Sequence, residues 1–349
     1  MLPTSGYAAK SPTSPLEPFA FARRAVGPHD VLIRIRYCGI CHSDVHQARD
    51  EWGGSIFPMV PGHEIVGTVV QVGSAVTRFA SGDLAGVGCF VDSCRACVPC
   101  ERGLEQYCEG HLVLTYNGTE RDQRTPTYGG YSDQIVVDER YALHIPAGLP
   151  LDGAAPLLCA GITTYSPLRH WGVGKGQRLG VVGLGGLGHM AVKIGAALGA
   201  EVAVFSQSTR KQQDAARLGA SDFVLTSDPS ALSKLDRRFD VIIDTVSASH
   251  DLDAYLKTLK TDGTMILVGA PPQPIPVDAF SLLMRRRRLV GSLIGGIRET
   301  QEMLDFCAEH RTAADIEVIP IQAVNDAYER MLRGDVRYRF VIDLASLAS

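Results

Sequence analysis

A glycine-rich segment in the middle of the chain restricts its fold more than any other feature. The segment Gly183-Leu184-Gly185-Gly186-Leu187-Gly188 follows an apolar run at residues 179–182 and opens a stretch with apolar side chains at helical spacing. Glycines in this pattern allow a tight turn, the approach of a phosphate to the backbone, and close packing of a helix on a strand. The pattern predicts a dinucleotide site with the pyrophosphate at the helix N-terminus, where free N–H groups favour anions. A glycine-rich turn that only joins core elements is the alternative.

The pattern around this segment extends the prediction to a whole domain. Further strands are predicted at residues 202–205, 223–225, 241–244, 265–268 and 289–292, with a helix over residues 210–218. Strands that alternate with helices form parallel sheets with right-handed crossovers. The fold class is therefore α/β, with a doubly wound parallel sheet of the Rossmann type.

The first 150 residues follow a different pattern. Short runs rich in Val and Ile at residues 31–35, 65–72 and 134–137 alternate with Gly, Pro and Asp, which is typical of short antiparallel strands. After residue 296, the pattern predicts helices at residues 299–310 and 322–332 and a last strand at residues 340–342. We expect a mostly β domain before the parallel one and a further segment after it.

The end of the second strand of the dinucleotide unit indicates which cofactor binds. NAD-binding units carry an Asp or Glu there, ~20 residues past the glycines, that bonds the ribose 2′-hydroxyl. Residues 205–211 contain no acidic residue. The candidate cofactor-binding residues at this place are Ser206, Gln207, Ser208, Arg210 and Lys211. Hydroxyls and cations favour a 2′-phosphate, so we predict NADP(H); the alternative for the two cations is an ordinary surface role in a first helical turn.

Cysteine usage points to metal. Nine cysteines, with no apolar signal-peptide segment among the first 18 residues, argue against a disulfide framework. Four of them, Cys94, Cys97, Cys100 and Cys108, fall within one Gly- and Pro-containing loop. Four thiolates at close spacing can form the closed tetrahedral shell of a structural zinc site. Free buried thiols or disulfides are the alternatives.

A second set of metal ligands is more dispersed and has no diagnostic spacing. Cys41 begins a polar stretch, His63 precedes a predicted strand, and Cys159 leads into the dinucleotide domain. A catalytic zinc takes three protein ligands and leaves one position open. Taken alone, His63 is more often a structural histidine, and only the combination with a hydride-carrier domain favours a site.

Composition excludes two classes of partner. A chain of 349 residues with 45% hydrophobic residues is long enough for roughly two domains. A net charge of -4 argues against a nucleic-acid partner. The most apolar stretch, residues 179–198, is interrupted by His189 and Lys193, so we expect no membrane span.

These motifs together resemble the zinc-dependent medium-chain alcohol dehydrogenases, over essentially the whole chain. The resemblance lies in the Gly62-His63-Glu64 signature, the four-cysteine loop and the glycine-rich turn. Segments 38–44, 129–132, 155–161 and 337–341 are similar to the cinnamyl alcohol dehydrogenase branch, most of all to its bacterial NADPH-dependent aldehyde reductases. The resemblance implies a GroES-like catalytic domain at residues 1–157, a nucleotide-binding domain at 158–295, and a segment at 296–349 that returns to the catalytic domain.

The resemblance also implies residue roles around two zinc ions. Cys41, His63 and Cys159 would hold the catalytic zinc, and the four-cysteine loop the structural one. Glu64 would either support these ligands or exchange with one of them. Asp44 would orient His63 through a hydrogen bond, as carboxylates beside metal-bound histidines do. Ser43 and His46 would carry the proton between the substrate oxygen and solvent.

Further positions match the family's cofactor and substrate contacts. His42 would lie near the cofactor pyrophosphate, and the remaining cofactor positions are Thr163, Thr245, Gly269, Ser292, Leu293 and Ile294. Trp52, Leu114, Leu293 and Ile294 fall where the family lines its substrate pocket. Leu114 replaces an aromatic residue of the plant lignin-pathway members, which implies a tolerant apolar pocket for aliphatic and aromatic aldehydes.

The sequence thus predicts a cytoplasmic, homodimeric, NADP(H)-dependent alcohol dehydrogenase or aldehyde reductase with two zinc ions per chain. One alternative is a zinc-free quinone or enoyl reductase of the same fold, which would not need Cys41, His63 and Cys159 together. A second alternative is a zinc-ribbon protein that binds nucleic acid, against which the acidic charge balance argues.

Overall fold

A computed structural model of the chain describes residues 1–228, 230–271 and 273–348. The chain divides into two compact units. Unit 1 comprises residues 1–159 and 295–349, and unit 2 comprises residues 160–294. Within the described residues, no helix is both long and apolar enough to cross a membrane.

The N-terminal part of unit 1 is built mainly from short strands. Glycine, proline and aspartate separate them, as the sequence pattern predicts. The elements are β1 (Leu2–Ala9), β2 (Leu16–Arg23), β3 (Asp30–Gly39), α1 (His42–Ala48), β4 (Ile65–Val72), β5 (Leu84–Val87), β6 (Phe90–Asp92), α2 (Val98–Glu101), β7 (Val113–Leu114), β8 (Gln134–Asp138), β9 (Leu143–His144) and α3 (Leu151–Ala154). Short 3-10 turns occupy Glu105–Tyr107, Glu139–Tyr141 and Ala155–Leu158.

Unit 2 alternates strands with helices. Its elements are α4 (Ala160–His170), β10 (Arg178–Val182), α5 (Gly188–Ala197), β11 (Glu201–Ser206), α6 (Gln212–Leu218), β12 (Asp222–Leu225), β13 (Phe239–Asp244), α7 (Leu252–Thr258), β14 (Leu259–Leu267), α8 (Ala279–Leu283) and β15 (Arg288–Gly291). The six strands are parallel in the order β12-β11-β10-β13-β14-β15. This order confirms the predicted doubly wound sheet, whose strand order reverses on either side of β10.

The C-terminal segment adds two helices and two strands to unit 1. They are α9 (Ile297–Glu309), β16 (Ile316–Pro320), α10 (Val324–Leu332) and β17 (Arg339–Asp343). The main sheet has the order β16-β17-β3-β4-β5-β9, with β8 also paired to β3. Because β17 pairs with β3, which leads directly into α1, residues near the C-terminus come next to the loop that carries Cys41.

Some elements differ from the sequence prediction. The helix expected from residue 210 begins as a 3-10 turn at Thr209–Lys211, and regular α6 starts only at Gln212. Strand β14 begins six residues before its predicted start, because polar residues near Asp262 interrupt its apolar pattern and the register shifts there. The hairpin β1–β2 and strand β16 were not predicted.

Candidate metal centres and dinucleotide site

The four cysteines of residues 94–108 converge in unit 1. Their sulfur atoms all lie within 4.8 Å of one another. The Cys94–Cys100 and Cys97–Cys100 Sγ–Sγ distances are 3.9 and 3.4 Å. A disulfide requires about 2.05 Å, whereas sulfurs around a tetrahedral zinc with 2.3 Å bonds lie ~3.8 Å apart. The cluster therefore fits a four-thiolate zinc site and not a pair of disulfides.

Backbone N–H groups favour the thiolate form of this cluster. The N–H of Cys94 donates to the Cys108 sulfur over 3.3 Å, and the N–H of Glu109 donates to the Cys97 sulfur over 3.4 Å. Hydrogen bonds from the Ala96 and Cys97 amides lower the pKa of Cys94 to about 6. Donors aimed at sulfur stabilise the charged state that binds metal.

A second cluster forms from segments far apart in the chain. Cys41 precedes α1, His63 and Glu64 precede β4, and Cys159 follows the 3-10 turn Ala155–Leu158. One ligand atom from each of these four residues lies within 4.8 Å of the others, and the Cys41 and Cys159 sulfurs are 3.9 Å apart. The structure thus brings together the three predicted catalytic-zinc ligands and Glu64.

Two polar atoms of this cluster indicate that a metal belongs there. His63 Nε2 and Glu64 Oε2 are buried and have no hydrogen-bond partner among the described residues. Leaving such atoms unsatisfied costs about 1–3 kcal/mol each. A hydrogen bond with Cys159 lowers the pKa of the Cys41 thiol well below its ordinary value, which favours a thiolate. An unpartnered imidazole nitrogen beside two sulfurs is the donor set that zinc prefers.

The Asp44 carboxylate connects two of the ligand segments. It is fully buried in the first turn of α1. Its Oδ2 accepts from the Cys41 N–H over 2.8 Å, and its Oδ1 accepts from the Gly62 N–H over 3.2 Å. Oδ1 also lies 3.5 Å from His63 Nδ1. A proton on Nδ1 facing Asp44 leaves Nε2 as the lone-pair nitrogen that faces the sulfurs.

Glu64 is held by an arginine that sequence reasoning did not assign. The Arg339 guanidinium, from β17, donates to Glu64 Oε1 over 2.5 Å and to the Ile40 carbonyl over 2.8 Å. Both side chains of the pair are buried, and burial raises the pKa of Glu64 to about 8. A Cβ at Gly39 would lie 2.0 Å from Glu64 Oε2, so glycine there makes room for the carboxylate.

Three tyrosines and a cysteine near the cluster were also missed. Tyr131 donates to Asp44, Tyr328 donates to Tyr131, and the Tyr116 ring stacks on His63 with centroids 5.7 Å apart. Cys89 hydrogen-bonds with Cys159, and this bond lowers the pKa of Cys89. Tyr131 belongs to the segment 129–132 that carries part of the family resemblance, but nothing in that segment indicates what the tyrosine does.

The predicted proton-transfer residues lie on α1. Ser43 Oγ is 3.2 Å from the Cys41 sulfur, next to the cluster. His46, one helical turn further, has its Nδ1 2.5 Å from Glu51 and its ring stacked on Trp52 at 4.9 Å. The exposed His42 precedes them at the start of the helix. Trp52 and Leu114, both predicted to line the substrate pocket, also belong to unit 1.

In unit 2, the glycine-rich turn has the form expected of a phosphate loop. Gly183 has φ of +86°, and a Cβ at Gly188 would lie 2.1 Å from the Gly183 carbonyl oxygen. A Cβ at Gly185 would meet no protein atom within 4 Å. Turn formation and helix packing therefore explain Gly183 and Gly188, whereas the open space at Gly185 suits the approach of a ligand to the backbone. The residues fit a dinucleotide.

The end of β11 presents the predicted 2′-phosphate residues. Ser206 and Ser208 bond locally, since the Ser208 N–H donates to Ser206 Oγ over 3.3 Å. The Lys211 ammonium donates to the Leu184 carbonyl over 2.8 Å, which ties it to the glycine-rich turn. Arg210 and Gln207 are exposed. The structure thus separates the two cations, because Lys211 is fixed beside the turn and Arg210 extends into solvent.

The other predicted cofactor positions are spread over unit 2. Thr163 is buried in α4, and Thr245 donates from Oγ1 to the Val182 carbonyl at the end of β10. A Cβ at Gly269 would lie 2.4 Å from the Val246 carbonyl, so glycine is needed there for packing. Ser292, Leu293 and Ile294 follow the edge strand β15, and Leu293 is 54% exposed.

Comparisons with known proteins agree with this arrangement of sites. Residues 27–147 match the model of the alcohol dehydrogenase GroES-like domain, and residues 186–309 match that of zinc-binding dehydrogenases. The chain is 60% identical over 350 residues to NADP-dependent alcohol dehydrogenase C 1 of Mycolicibacterium smegmatis, with 100% of both chains covered.

Two further similarities extend over nearly the whole chain. The sequence is 56% identical to the aldehyde reductase YahK of Escherichia coli, over 98% of this chain and 97% of that protein. The fold is similar to the crystal structure of CAD from Helicobacter pylori complexed with NADP(H), with a TM-score of 0.92, 45% identity and 99% of both chains covered.

Proposed function

Because this chain belongs to the zinc-binding alcohol dehydrogenase family, we propose that it catalyses reversible, NADP(H)-dependent hydride transfer between a primary alcohol and its aldehyde. The observation that carries the proposal is the unpartnered, buried His63 Nε2, which faces the Cys41 and Cys159 sulfurs beside the Ser43 hydroxyl. Such a centre offers three protein ligands and an accessible hydroxyl, whereas the four-cysteine site closes its own shell.

The residues of the two clusters divide the metal functions between them. The catalytic zinc is held by Cys41, His63 and Cys159. Glu64 lies beside these ligands, is held by Arg339, and either supports them or exchanges with one of them. Cys94, Cys97, Cys100 and Cys108 hold a structural zinc. Zinc bound at the first centre supplies Lewis acidity toward the substrate oxygen, and the nicotinamide supplies or accepts the hydride.

The chain itself provides the proton path and the orientation of the ligands. Reduction of an aldehyde leaves a product oxygen that needs one proton, and the Ser43 hydroxyl donates it and takes back a proton that comes from solvent. His46, whose Nδ1 is engaged by Glu51, keeps Nε2 for exchanging that proton with solvent. Asp44 keeps His63 in the tautomer that presents Nε2 to the metal. The two thiolates also reduce the positive charge of the centre, which eases release of the alcohol.

The cofactor is NADP(H), bound by the glycine-rich turn with the 2′-phosphate at the end of β11. The absence of an acidic residue at residues 205–211 and the fixed position of Lys211 support this choice. We expect kcat/KM to be much higher with NADPH than with NADH. A clear preference for NADH would refute the cofactor assignment.

The subunits form a homodimer through unit 2. Strand β15 lies at the edge of the sheet, so its outer backbone groups can pair with a second copy. Next to it, Phe280, Leu283, Met284 and Leu293 are exposed by 66, 71, 72 and 54%. Sedimentation of the wild type and of Leu283→Glu tests the homodimer. We expect the wild type to be a dimer and Leu283→Glu to be a monomer, and a monomeric wild type would contradict the assignment.

The chain has a catalytic domain, a nucleotide-binding domain and a C-terminal segment. The catalytic domain comprises residues 1–157, the nucleotide-binding domain residues 158–295, and the C-terminal segment residues 296–349 rejoins the catalytic domain. The protein acts in the cytoplasm, since two thiolate metal centres require reduced cysteines and all nine cysteines are free thiols.

One experiment tests the central claim. NADPH oxidation is followed across aliphatic and aromatic aldehydes, before and after treatment with a strong zinc chelator, and metal content is measured in parallel. We expect about two zinc ions per chain and chelator-sensitive reduction of several aldehydes. One zinc per chain with chelator-resistant quinone or enoyl reduction would identify the zinc-free reductase instead. Salt-dependent binding of nucleic acid would support the zinc-ribbon alternative.

A further inference from the structure

We propose that Tyr131 is a positioning residue of the Cys41–His63–Cys159 centre, acting through the Asp44 carboxylate. The inference rests on the proposed zinc site and deepens it. It concerns a hydroxyl that touches no metal ligand, so its effect must pass through the residue that it holds.

Asp44 is the element through which two ligand segments are fixed. Its two oxygens accept from the backbone N–H of Cys41 and of Gly62, and Oδ1 faces His63 Nδ1. A shift of this carboxylate therefore moves one sulfur ligand and turns the imidazole. The Tyr131 hydroxyl donates to Asp44 Oδ2 over 3.1 Å, and the Tyr116 hydroxyl also interacts with this carboxylate.

The position of the Tyr131 ring is fixed by the same segment that carries His63. The Tyr131 N–H donates to the Pro61 carbonyl over 3.0 Å, and its own carbonyl accepts from Tyr7 over 2.9 Å. The ring packs on Gly62, where a Cβ would lie 2.7 Å from Tyr131 Cδ1. Because the side chain is completely buried, the hydroxyl has no freedom to exchange Asp44 for water.

The number of available protons determines the direction of the hydrogen bonds that Tyr131 makes with Tyr328 and Asp44. A phenol has one proton to donate. Tyr328, from α10, donates to the Tyr131 oxygen over 3.4 Å, so the Tyr131 proton is directed to Asp44. Burial raises the pKa of Tyr131 well above its ordinary value, which keeps it protonated at neutral pH. The C-terminal segment thus supports Asp44 through Tyr328 as it supports Glu64 through Arg339.

The other metal site offers a matched control. The Tyr141 hydroxyl lies 2.7 Å from Ser93 Oγ, which lies 3.2 Å from the Cys100 sulfur. Tyr141 is also a buried tyrosine whose hydroxyl is one residue away from a metal ligand. Removal of either hydroxyl as Tyr→Phe preserves the ring, so differences between the two variants report on which site each hydroxyl supports.

The test measures zinc release from the intact protein into a chromogenic chelator. Loss of an outer partner of a metal ligand typically weakens metal binding 10–100-fold. For Tyr131→Phe we expect one zinc equivalent to leave about tenfold faster than in the wild type and the other equivalent to leave unchanged. Tyr131→Phe thus identifies one zinc equivalent by its faster release. In Tyr141→Phe, that same zinc equivalent should leave at the wild-type rate.

A double-variant comparison shows whether Tyr131 acts through Asp44. Asp44→Asn alone should accelerate release of the same equivalent, and adding Tyr131→Phe should then add less than twofold, because the two changes break one pathway. With Co²⁺ in place of zinc, Tyr131→Phe should also shift the visible absorption of that one site. A role limited to fold stability would leave this spectrum unchanged.

Three outcomes would overturn the inference. They are an unchanged release rate in Tyr131→Phe, equal acceleration of both zinc equivalents, and full additivity with Asp44→Asn. A wild-type protein with one zinc per chain would instead refute the proposed function, so the two failures are distinguishable.

Discussion

Replacement of Arg339 by methionine is the most direct test of how the buried charges at the metal centre are held. Arg339 is 5% exposed and Glu64 is fully buried. Methionine keeps most of the side-chain length but removes the donors to the Glu64 carboxylate and to the Ile40 carbonyl. The Arg339→Met variant therefore leaves a buried carboxylate without its cation.

The structure sets the size of the effect. At a pH above the pKa of Glu64, where its carboxyl group is ionised, breaking this buried ion pair by removing one partner costs about 3–5 kcal/mol. If the free energy of unfolding falls by about 3 kcal/mol per molar urea for a chain of this size, the unfolding midpoint at such a pH should fall by roughly 1–1.7 M. The exposed pair Arg286–Asp262 serves as a control, because Arg286 is 81% exposed and Arg286→Met should leave the urea midpoint nearly unchanged.

The pH dependence gives the prediction a sign. Burial raises the pKa of Glu64 from 4.5 to about 8, and the Arg339 charge opposes that rise, so Arg339→Met should raise it further. A carboxyl group with a raised pKa binds more protons in the folded state, and stability therefore falls as pH rises from 4.5 toward the folded-state value. The midpoint difference between variant and wild type should be larger at pH 8 than at pH 6.

Urea unfolding followed by near-ultraviolet circular dichroism measures both effects. The double variant Glu64→Gln/Arg339→Met removes both charges and should recover most of the loss. A midpoint shift in Arg339→Met no larger than that of Arg286→Met would refute the reasoning. So would a double variant less stable than Arg339→Met itself.

Three more predictions concern the other sites. Cys159→Ser should lower zinc content by one equivalent per chain and nearly abolish turnover, as measured by metal analysis and NADPH oxidation; normal activity would defeat the ligand assignment. Gly185→Ala should leave the urea midpoint unchanged but weaken NADPH binding at least tenfold by calorimetry, because its Cβ meets no protein atom, whereas Gly188→Ala should destabilise the fold. His250 lies 3.0 Å from Asp244, whose carboxylate raises the histidine pKa above 6.5. An NMR titration should show that Asp244→Asn lowers the pKa of His250. Because a histidine with a raised pKa stabilises the fold only below that pKa, the variant should lose stability at pH 5 and not at pH 9.

Features of short sequence range were predictable because their chemistry and geometry are local. The glycine-rich turn between β10 and α5 follows from six consecutive residues, and the structural cluster from four cysteines within fifteen residues. Most strands of unit 2 carry apolar runs because the parallel sheet is covered on both faces, and β14 is the exception near Asp262. Strand β16 lies at a sheet edge with exposed positions, so it left no such pattern.

By itself, the sequence determined the doubly wound sheet, the phosphate loop and the four-thiolate site, because each is encoded by residues within one or two neighbouring elements. Only the tertiary structure decided which side chains meet at the second metal centre. Cys41 and Cys159 are 118 residues apart, and Arg339 lies 275 residues from Glu64. The meeting of Arg339 with Glu64 depends on the pairing of β17 with β3, a long-range contact that no local periodicity specifies. The same contact brings the C-terminal segment to the buried carboxylates, which must find partners because burial makes an unpaired charge costly.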